Sequence, residues 1–350
     1  MKITAPISRI DEIRPLAAAG ADEFYCGVVP REWVDRFRTS ATNRRIFGNL
    51  QSFDDLSEAV ETAHECGSKM FLVLNAQHYA GEQLDALLDL AGRFDAMGGD
   101  AVIVGDVSLL GLLAAGGYRF GIHVSSILSC RNAAAAAFYE RLGATRIIFP
   151  RDVTLSEIEQ VVRAVPGMEF EAFVLNDGCV FEEGTCHTIH LPGRLGGPIC
   201  LDKWEGKYTR TDGKPVDTAA IERNEEGYRR WLWYRFGCGF SVTEEGYPFG
   251  PCGVCAMPRL AAAGLHSVKI AGREAATPRK LKSVELVRSV RDRMRAAGGD
   301  ELRTMAFAQG LRKRPDLCGS GYMCYYREVL STLSPATEER SMLAAGGAQA

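Results

Sequence analysis

The chain has 350 residues, 46% of them hydrophobic and 24% charged, with a formal net charge of -3. That is globular composition, enough for one large core or two modest ones. The near-neutral balance gives no electrostatic ground for general nucleic-acid or membrane binding, although an average hides any local basic patch.

The start, "MKITAPISRIDEIRPL", lacks the long apolar core of a secretory signal, and no run approaches a membrane-spanning length; even "AVIVGDVSLLGLLAAGG" carries Asp106. The expected compartment is the cytoplasm. A reducing compartment keeps thiols unpaired, so the eleven cysteines are not read as a disulfide framework. Cys26, Cys66 and Cys130 stand singly in the first half and read as structural; the other eight lie at or after Cys179.

In chain order, the expected strands are "KITAPI", "DEFYCGV", "KMFLVLN", "AVIVGD", "RFGIHVSS", "TRIIFP" and "EFEAFVLN". Between them run amphipathic stretches such as "SFDDLSEAVETAHECG", "GEQLDALLDLAGRFDAMG" and "TLSEIEQVVRAV". Gly-Ala or Gly-Gly before the next strand, as in "MGGDAVIV", marks a helix stop and a tight turn. An eighth unit follows as "MPRLAAAGL", "HSVKIAG" and "TPRKLKSVELVRSVRDRMRAAG". Strands alternating with helices imply parallel pairing, and eight of them favour a closed (β/α)8 barrel of TIM type over an open sheet. No GxGxxG follows the first strand, which weighs against dinucleotide binding.

This reading divides the chain into the first seven units (residues 1–177) and a cysteine-rich insertion between strands 7 and 8 (178–256). A closing helix, strand and helix follow (257–298), then an irregular C-terminal extension with a disordered tail (299–350). An insertion this long inside a compact domain is usually functional.

Chemistry in a barrel sits at the C-terminal strand ends. Those ends present Tyr25, Asn75, Asp106, His123, Ser125, Arg151, Asn176 and Arg273. His123 and Ser125, two apart on one strand face, with Asn75, are the catalytic candidates; Tyr25, Arg151, Asn176 and Arg273 are candidates to hold substrate. His123 is the expected proton carrier, because imidazole titrates near neutral pH. The bland reading is that strand ends border loops and loops are polar.

"DGCVFEEGTCHTIHLPGRLGGPIC" places Cys179, Cys186 and Cys200 in one polar stretch, followed by Cys238, Cys252 and Cys255, then Cys318 and Cys324. Only Cys252 and Cys255, as "CGVC", have the close spacing of a zinc pair. Thiolates drawn from separated loops suit an iron–sulfur cluster, which tolerates varied spacing. A structural zinc, a catalytic cysteine paired with His187 or His190, and inert buried thiols are the competing readings. His187 and His190 themselves read as loop hydrogen-bonders.

Several separated segments resemble the U32 family, historically labelled peptidases. They include "ITAPIS…AAGADEFYCGV", "IHVSS", "RIIFPRDVTLSEI", "EFEAFVLNDGCVFEEGTC" and "CGVCAMPRLAAAGLHSVKIAGR". The resemblance implies a [4Fe–4S] cluster on Cys179, Cys186, Cys200 and Cys252, with Cys255 or Cys238 as alternatives for the fourth ligand. It also implies oxygen-independent hydroxylation with prephenate as oxygen donor. In that picture Arg151 and Arg273 are candidates to clamp its carboxylates through bidentate pairs, with a structural ion pair as the alternative for each, and a heteromeric partner of the same family is a further expectation. There is no HExxH motif and no nucleophile elbow to support the protease label. Leu175-Asn176 replaces the family's His-Gly, and the third-cysteine segment is short. These departures turn the expected substrate away from RNA, toward a small molecule or a peptide. The remaining alternatives are a peptidase and a non-catalytic metal-binding subunit, for which Cys318 and Cys324 offer a second metal or a partner contact.

Overall fold

The computed structural model describes residues 1–45, 47–179, 182–186, 206–232, 242–321 and 323–332. Its strands are β1 (Lys2–Pro6), β2 (Glu23–Val28), β3 (Asn49–Leu50), β4 (Lys69–Leu74), β5 (Ala101–Val104), β6 (Gly121–Val124), β7 (Arg146–Ile148), β8 (Glu169–Leu175) and β9 (Ser267–Ile270). All pair in parallel, in the order β1-β9-β8-β7-β6-β5-β4-β2, and β1 also pairs with β2, which closes eight strands into a barrel. The two-residue β3 rides outside on β2. The (β/α)8 barrel read from the sequence is therefore the fold, with each expected strand in its place.

The helices are α1 (Ile13–Ala19), α2 (Arg31–Phe37), α3 (Phe53–Glu65), α4 (Gly81–Ala96), α5 (Val107–Ala115), α6 (Ala133–Arg141) and α7 (Leu155–Ala164), then α8 (Thr218–Leu232), α9 (Met257–Ala262), α10 (Thr277–Ala296), α11 (Glu301–Arg312) and α12 (Pro315–Ser320). Local chemistry sets several starts: Ser52 and Asp55 form a capping box on α3, Thr154 and Glu157 another on α7, and Asn132 accepts from Ala135 N–H on α6. Strands such as "AVIV" are buried on both faces, as helix-covered parallel sheets must be. None of the described helices is long and apolar enough to cross a membrane.

The barrel interior is polar at its lower end. Arg146, 2% exposed, bonds Glu23 at 2.7 and 3.0 Å, Glu171 at 3.0 Å and Glu169 at 2.6 and 2.8 Å. Lys269 reaches Glu171 at 2.7 Å, and Thr4 donates to both Glu23 and Glu171. Guanidinium, ammonium and carboxylates satisfy one another there, the condition for burying charge.

Two segments differ from the sequence reading. The stretch after residue 300, expected to be irregular, contains α11 and α12, and α11 lies against α10 and the Val254–Ala256 turn. The charged middle of the insertion includes the 15-residue α8.

Candidate functional site

The loops after the strands converge at the C-terminal face, and the cysteine loop enters this face directly from β8. Asn176 and Asp177 turn the chain there with φ of 66° and 53°. Asn and Asp tolerate this left-handed conformation better than other non-glycine residues. Asn176 is held from all sides: its N–H donates to Pro251 O at 2.8 Å, and its Nδ2 donates to Ser283 Oγ at 3.1 Å. Tyr325 Oη donates to the carbonyls of Asn176 and Asp177. Asn176, expected to touch substrate, is thus committed to the turn.

Beyond the turn, the segment Glu182–Cys186 is docked on the barrel mouth. Glu182 accepts from Ser129 Oγ at 2.7 Å and Arg131 Nη2 at 2.9 Å, and from the backbone of Gly184 and Thr185 at 2.9 and 2.6 Å. Burial alone would raise its pKa, but these donors outweigh that and hold the carboxyl down to about 2. Arg44 donates to Glu183 O at 2.6 Å, Gln77 to Gly184 O at 3.0 Å, and Arg151 pairs with the Glu183 carboxylate. A Cβ on Gly184 would collide with Ser129 Oγ and stand 2.5 Å from Ile127 O, so only glycine permits this approach. "EEGTC" therefore reads as two acidic anchors and one contact glycine set between two thiols. Cys179 and Cys186 flank the docked turn; Cys200, Cys238, His187 and His190 lie outside the described residues.

Arg273, expected as a carboxylate clamp, is 5% exposed just beyond β9. Its Nη1 donates to Asn49 Oδ1 at 2.9 Å and its Nη2 to Asn43 Oδ1 at 2.7 Å. Among the described residues no carboxylate pairs with it, and burial lowers its pKa from the ordinary guanidinium value. Gly27 makes this possible, since a Cβ there would collide with Asn49 Oδ1 and Arg273 Nη1 and stand 2.6 Å from Asn43 Nδ2. A buried cation held by neutral amides is the arrangement that gains most from an anionic ligand.

The other candidates divide. Asn75 Nδ2 donates to Ser125 Oγ at 3.2 Å, and its Oδ1 accepts from Arg44 N–H at 3.2 Å, so Asn75 and Ser125 do meet at the mouth. His123 lies one layer deeper, paired in register with Ile103 and Arg146 and packed edge-on against Phe71 at 4.7 Å. Its Nδ1 is buried with no hydrogen-bond partner among the described residues. Burial, then the nearby Arg146 cation, push its pKa well below the usual value, so it stays neutral instead of titrating near pH 7 as expected. Tyr25 is interior as well: its hydroxyl donates to Ile270 O at 2.9 Å and Lys269 Nζ lies 4.0 Å from its ring centre. Arg151 stacks 3.8 Å over Phe173 and is already engaged by Glu183, so the structural ion pair is its role here. Asp106 caps α5 by accepting from Leu109 N–H at 2.9 Å.

Sequence reasoning missed the loop "TNRRIFGN". It supplies Asn43, Arg44 and Asn49 to the mouth, and Arg45, which bonds Asp177 at 2.8 Å. A run of amides and arginines after the second strand was the available signal. Cys252 bridges Leu175 at the end of β8 and Cys324, and with Cys255 and Cys318 these thiols line one cavity. Among the described residues, no three His, Cys, Asp or Glu side chains stand close enough to hold a metal as they are.

Fold and site together define a parallel βα barrel with a thiol-bearing loop fastened over the C-terminal mouth. Residues 8–332 match the model of peptidase family U32, and the chain belongs to that family. It is similar to tRNA hydroxylation protein P of Escherichia coli K12, 29% identical over 230 residues, covering 64% of this chain and 48% of the relative. It is similar to tRNA hydroxylation protein P1 of Bacillus subtilis 168, 22% identical over 83% of this chain and 61% of the relative. The 23S rRNA 5-hydroxycytidine C2501 synthase of E. coli is 29% identical over 40% of this chain and 20% of its own length. The chain thus spans about half, and less than two thirds, of the curated relatives it matches first. A solved U32 peptidase shares 20% identity over 50% of this chain and 68% of its own, with a TM-score of 0.39. The relatives' names speak of tRNA and rRNA. They overturn the expectation that nucleic acid falls outside the partners and that the substrate is a small molecule or peptide.

Proposed function

We propose that this chain takes part in the oxygen-independent hydroxylation of a nucleobase in structured RNA. The observation that carries the reading is the docking of Glu182–Cys186 on the barrel mouth, in a chain whose relatives are named for tRNA and rRNA hydroxylation. The net charge of -3 is no obstacle, because the partly exposed Arg44, Arg45, Arg131 and Arg279 lie on this face. They supply a local basic rim for phosphates. A base must leave its stack to be modified, and the residues that would meet it stand at the barrel mouth.

Cys179, Cys186 and Cys200 would hold a [4Fe–4S] cluster together with one further thiol. The donors fit by chemistry: soft thiols in a polar loop, two of them on either side of a segment clamped to the mouth. The cluster, when bound, supplies electron transfer or Lewis acidity. Arg273, a buried cation resting on amides, receives a carboxylate of the oxygen donor, for which prephenate has the right charge. Asn75 and Ser125 present an amide and a hydroxyl to orient the base. Neutral His123 supports the layer beneath and carries no proton.

The test is RNA from cells lacking the gene, digested and compared with wild type by mass spectrometry, with complementation by wild type and by Cys179→Ala. A hydroxylated nucleoside lost in the deletion, restored by wild type and not by Cys179→Ala, is the expected result. Identical nucleoside profiles in wild-type and deletion cells would sink the reading.

A further inference from the structure

Four thiols stand apart from the docked loop. Cys252 and Cys255 come from the turn before α9, Cys318 from α12, and Cys324 from the segment after it, and all four line one cavity of about 30 Å³. The backbone ties together the segments that carry them. Cys252 N–H donates to Met323 O at 2.7 Å and Tyr325 N–H donates to Cys252 O at 2.9 Å, so Cys252 and Cys324 face each other in register. Gly321 N–H donates to Cys318 O and Cys324 N–H to Gly321 O, at 3.3 and 3.2 Å, which ties Cys318 to Cys324. Gly253 N–H donates to Val174 O at 2.7 Å, and a Cβ on Gly253 would stand 2.7 Å from the Tyr326 ring. "CGVC" is thereby pressed between β8 and the C-terminal segment.

A second, independent observation is the charge in this wall. Arg312, 3% exposed, donates through Nη2 to Phe249 O at 2.8 Å, while its buried Nη1 has no hydrogen-bond partner among the described residues. An orphaned cationic donor is costly in a cavity otherwise lined by groups such as Ala308, Met323 and Val329. An anionic occupant removes that cost.

We propose that Cys252, Cys255, Cys318 and Cys324 bind a single divalent ion, zinc by its chemistry, in a site separate from the cluster of the docked loop. Four thiolates around one dication carry net negative charge, and Arg312 Nη1 lies in the wall to donate to a ligating sulfur. Each thiol that ligates gives up its proton to solvent, and no electron is transferred. The C-x2-C pair has the spacing of zinc ligands. The thiols line the wall without yet standing at ligating distance, so binding draws them inward. The inference does not depend on RNA hydroxylation, and it passes the fourth place beside Cys179, Cys186 and Cys200 to Cys238.

The test is elemental analysis with acid-labile sulfide on the full chain, purified anaerobically, as wild type, Cys318→Ser/Cys324→Ser and Cys179→Ala/Cys186→Ala. The expected wild type holds about one zinc per chain beside its iron. The Cys318/Cys324 variant loses the zinc and keeps iron and sulfide; the Cys179/Cys186 variant does the reverse. Zinc absent from wild type, zinc surviving in the Cys318/Cys324 variant, or iron and sulfide lost from that variant would each overturn the proposal. Should the variant not fold, wild type stripped of metal and titrated with cobalt decides. Tetrahedral tetrathiolate bands saturating at about one equivalent support the site, and their absence overturns it.

Discussion

Gly184→Ala probes whether the cysteine loop is held by the contacts described. The added methyl collides with Ser129 Oγ and stands 2.5 Å from Ile127 O. Ser129 can swing aside only by giving up its 2.7 Å bond to Glu182, and a backbone carbonyl cannot swing at all. The cheaper response is for the segment to lift. Lifting stretches the bonds from Ser129 and Arg131 to Glu182 and from Gln77 to Gly184 O. A bond to a charged group contributes about 1.5 kcal/mol and a neutral one about 1, so losing parts of these gives roughly 2 kcal/mol. At 1.4 kcal/mol per factor of ten, the open population rises about 30-fold. The barrel itself is untouched, so the global melting temperature should move little. A glutamyl endopeptidase cutting after Glu182 and Glu183 reads the open population, with rates normalised to those of the unfolded chain. Gly81→Ala, where an added Cβ meets nothing within 4 Å, is the control. Equal normalised cleavage rates in Gly184→Ala and wild type would refute the docking argument.

Three further outcomes follow from the interior and the mouth. Arg146→Met strips the cation from Glu23 and Glu171, both 0% exposed, and should cost about 3–5 kcal/mol in urea unfolding. Adding Glu23→Leu should recover part of that loss; no recovery would mean the charges are not what the site is built on. His123 has a folded pKa below its unfolded value, so its contribution is present above about pH 6.5 and falls as the unfolded state takes up a proton below it. Its ring resonances in the folded protein should not titrate between about pH 6 and 8, and a midpoint near 6.5 would contradict its assigned burial. Arg273→Lys loses the fork that spans Asn43 and Asn49 and should weaken prephenate binding about tenfold by calorimetry. Unchanged affinity would remove Arg273 from ligand binding.

The barrel was legible because its signal is periodic and local: apolar strands such as "KMFLVL" and "AVIV" alternate with amphipathic helices that carry their own caps. Helix α11 was not legible for the converse reason. The side chains it buries are Thr304, Met305, Ala308 and Arg312, two of them polar, so its buried face never reads as an apolar stripe. At the site, residue types were legible and depths were not. His123 and Ser125 share a face, but two residues along a strand separate the mouth from the interior, and the deeper residue became a core histidine. Arg151 and Arg273 looked alike in the sequence. Glu183, 32 residues after Arg151, neutralises that arginine, while among the described residues Arg273 is hydrogen-bonded by amides from a loop far earlier in the chain. Such pairings are decided by tertiary contact, which no spacing encodes.

The two groups of thiols share one stretch of backbone. Cys252 bridges Leu175, the last residue of β8, and the left-handed turn at Asn176 and Asp177 leads from there to Cys179. Tyr325, next to Cys324, donates to both carbonyls of that turn. The C-terminal segment therefore grips the root of the cysteine loop, and Glu182 and Glu183 grip its tip. A metal on Cys252, Cys255, Cys318 and Cys324 would tighten the root without touching the mouth. Under the two proposals the cysteines would divide their work: one set would hold a cluster at the mouth, and the other would hold the strand end from which that set departs.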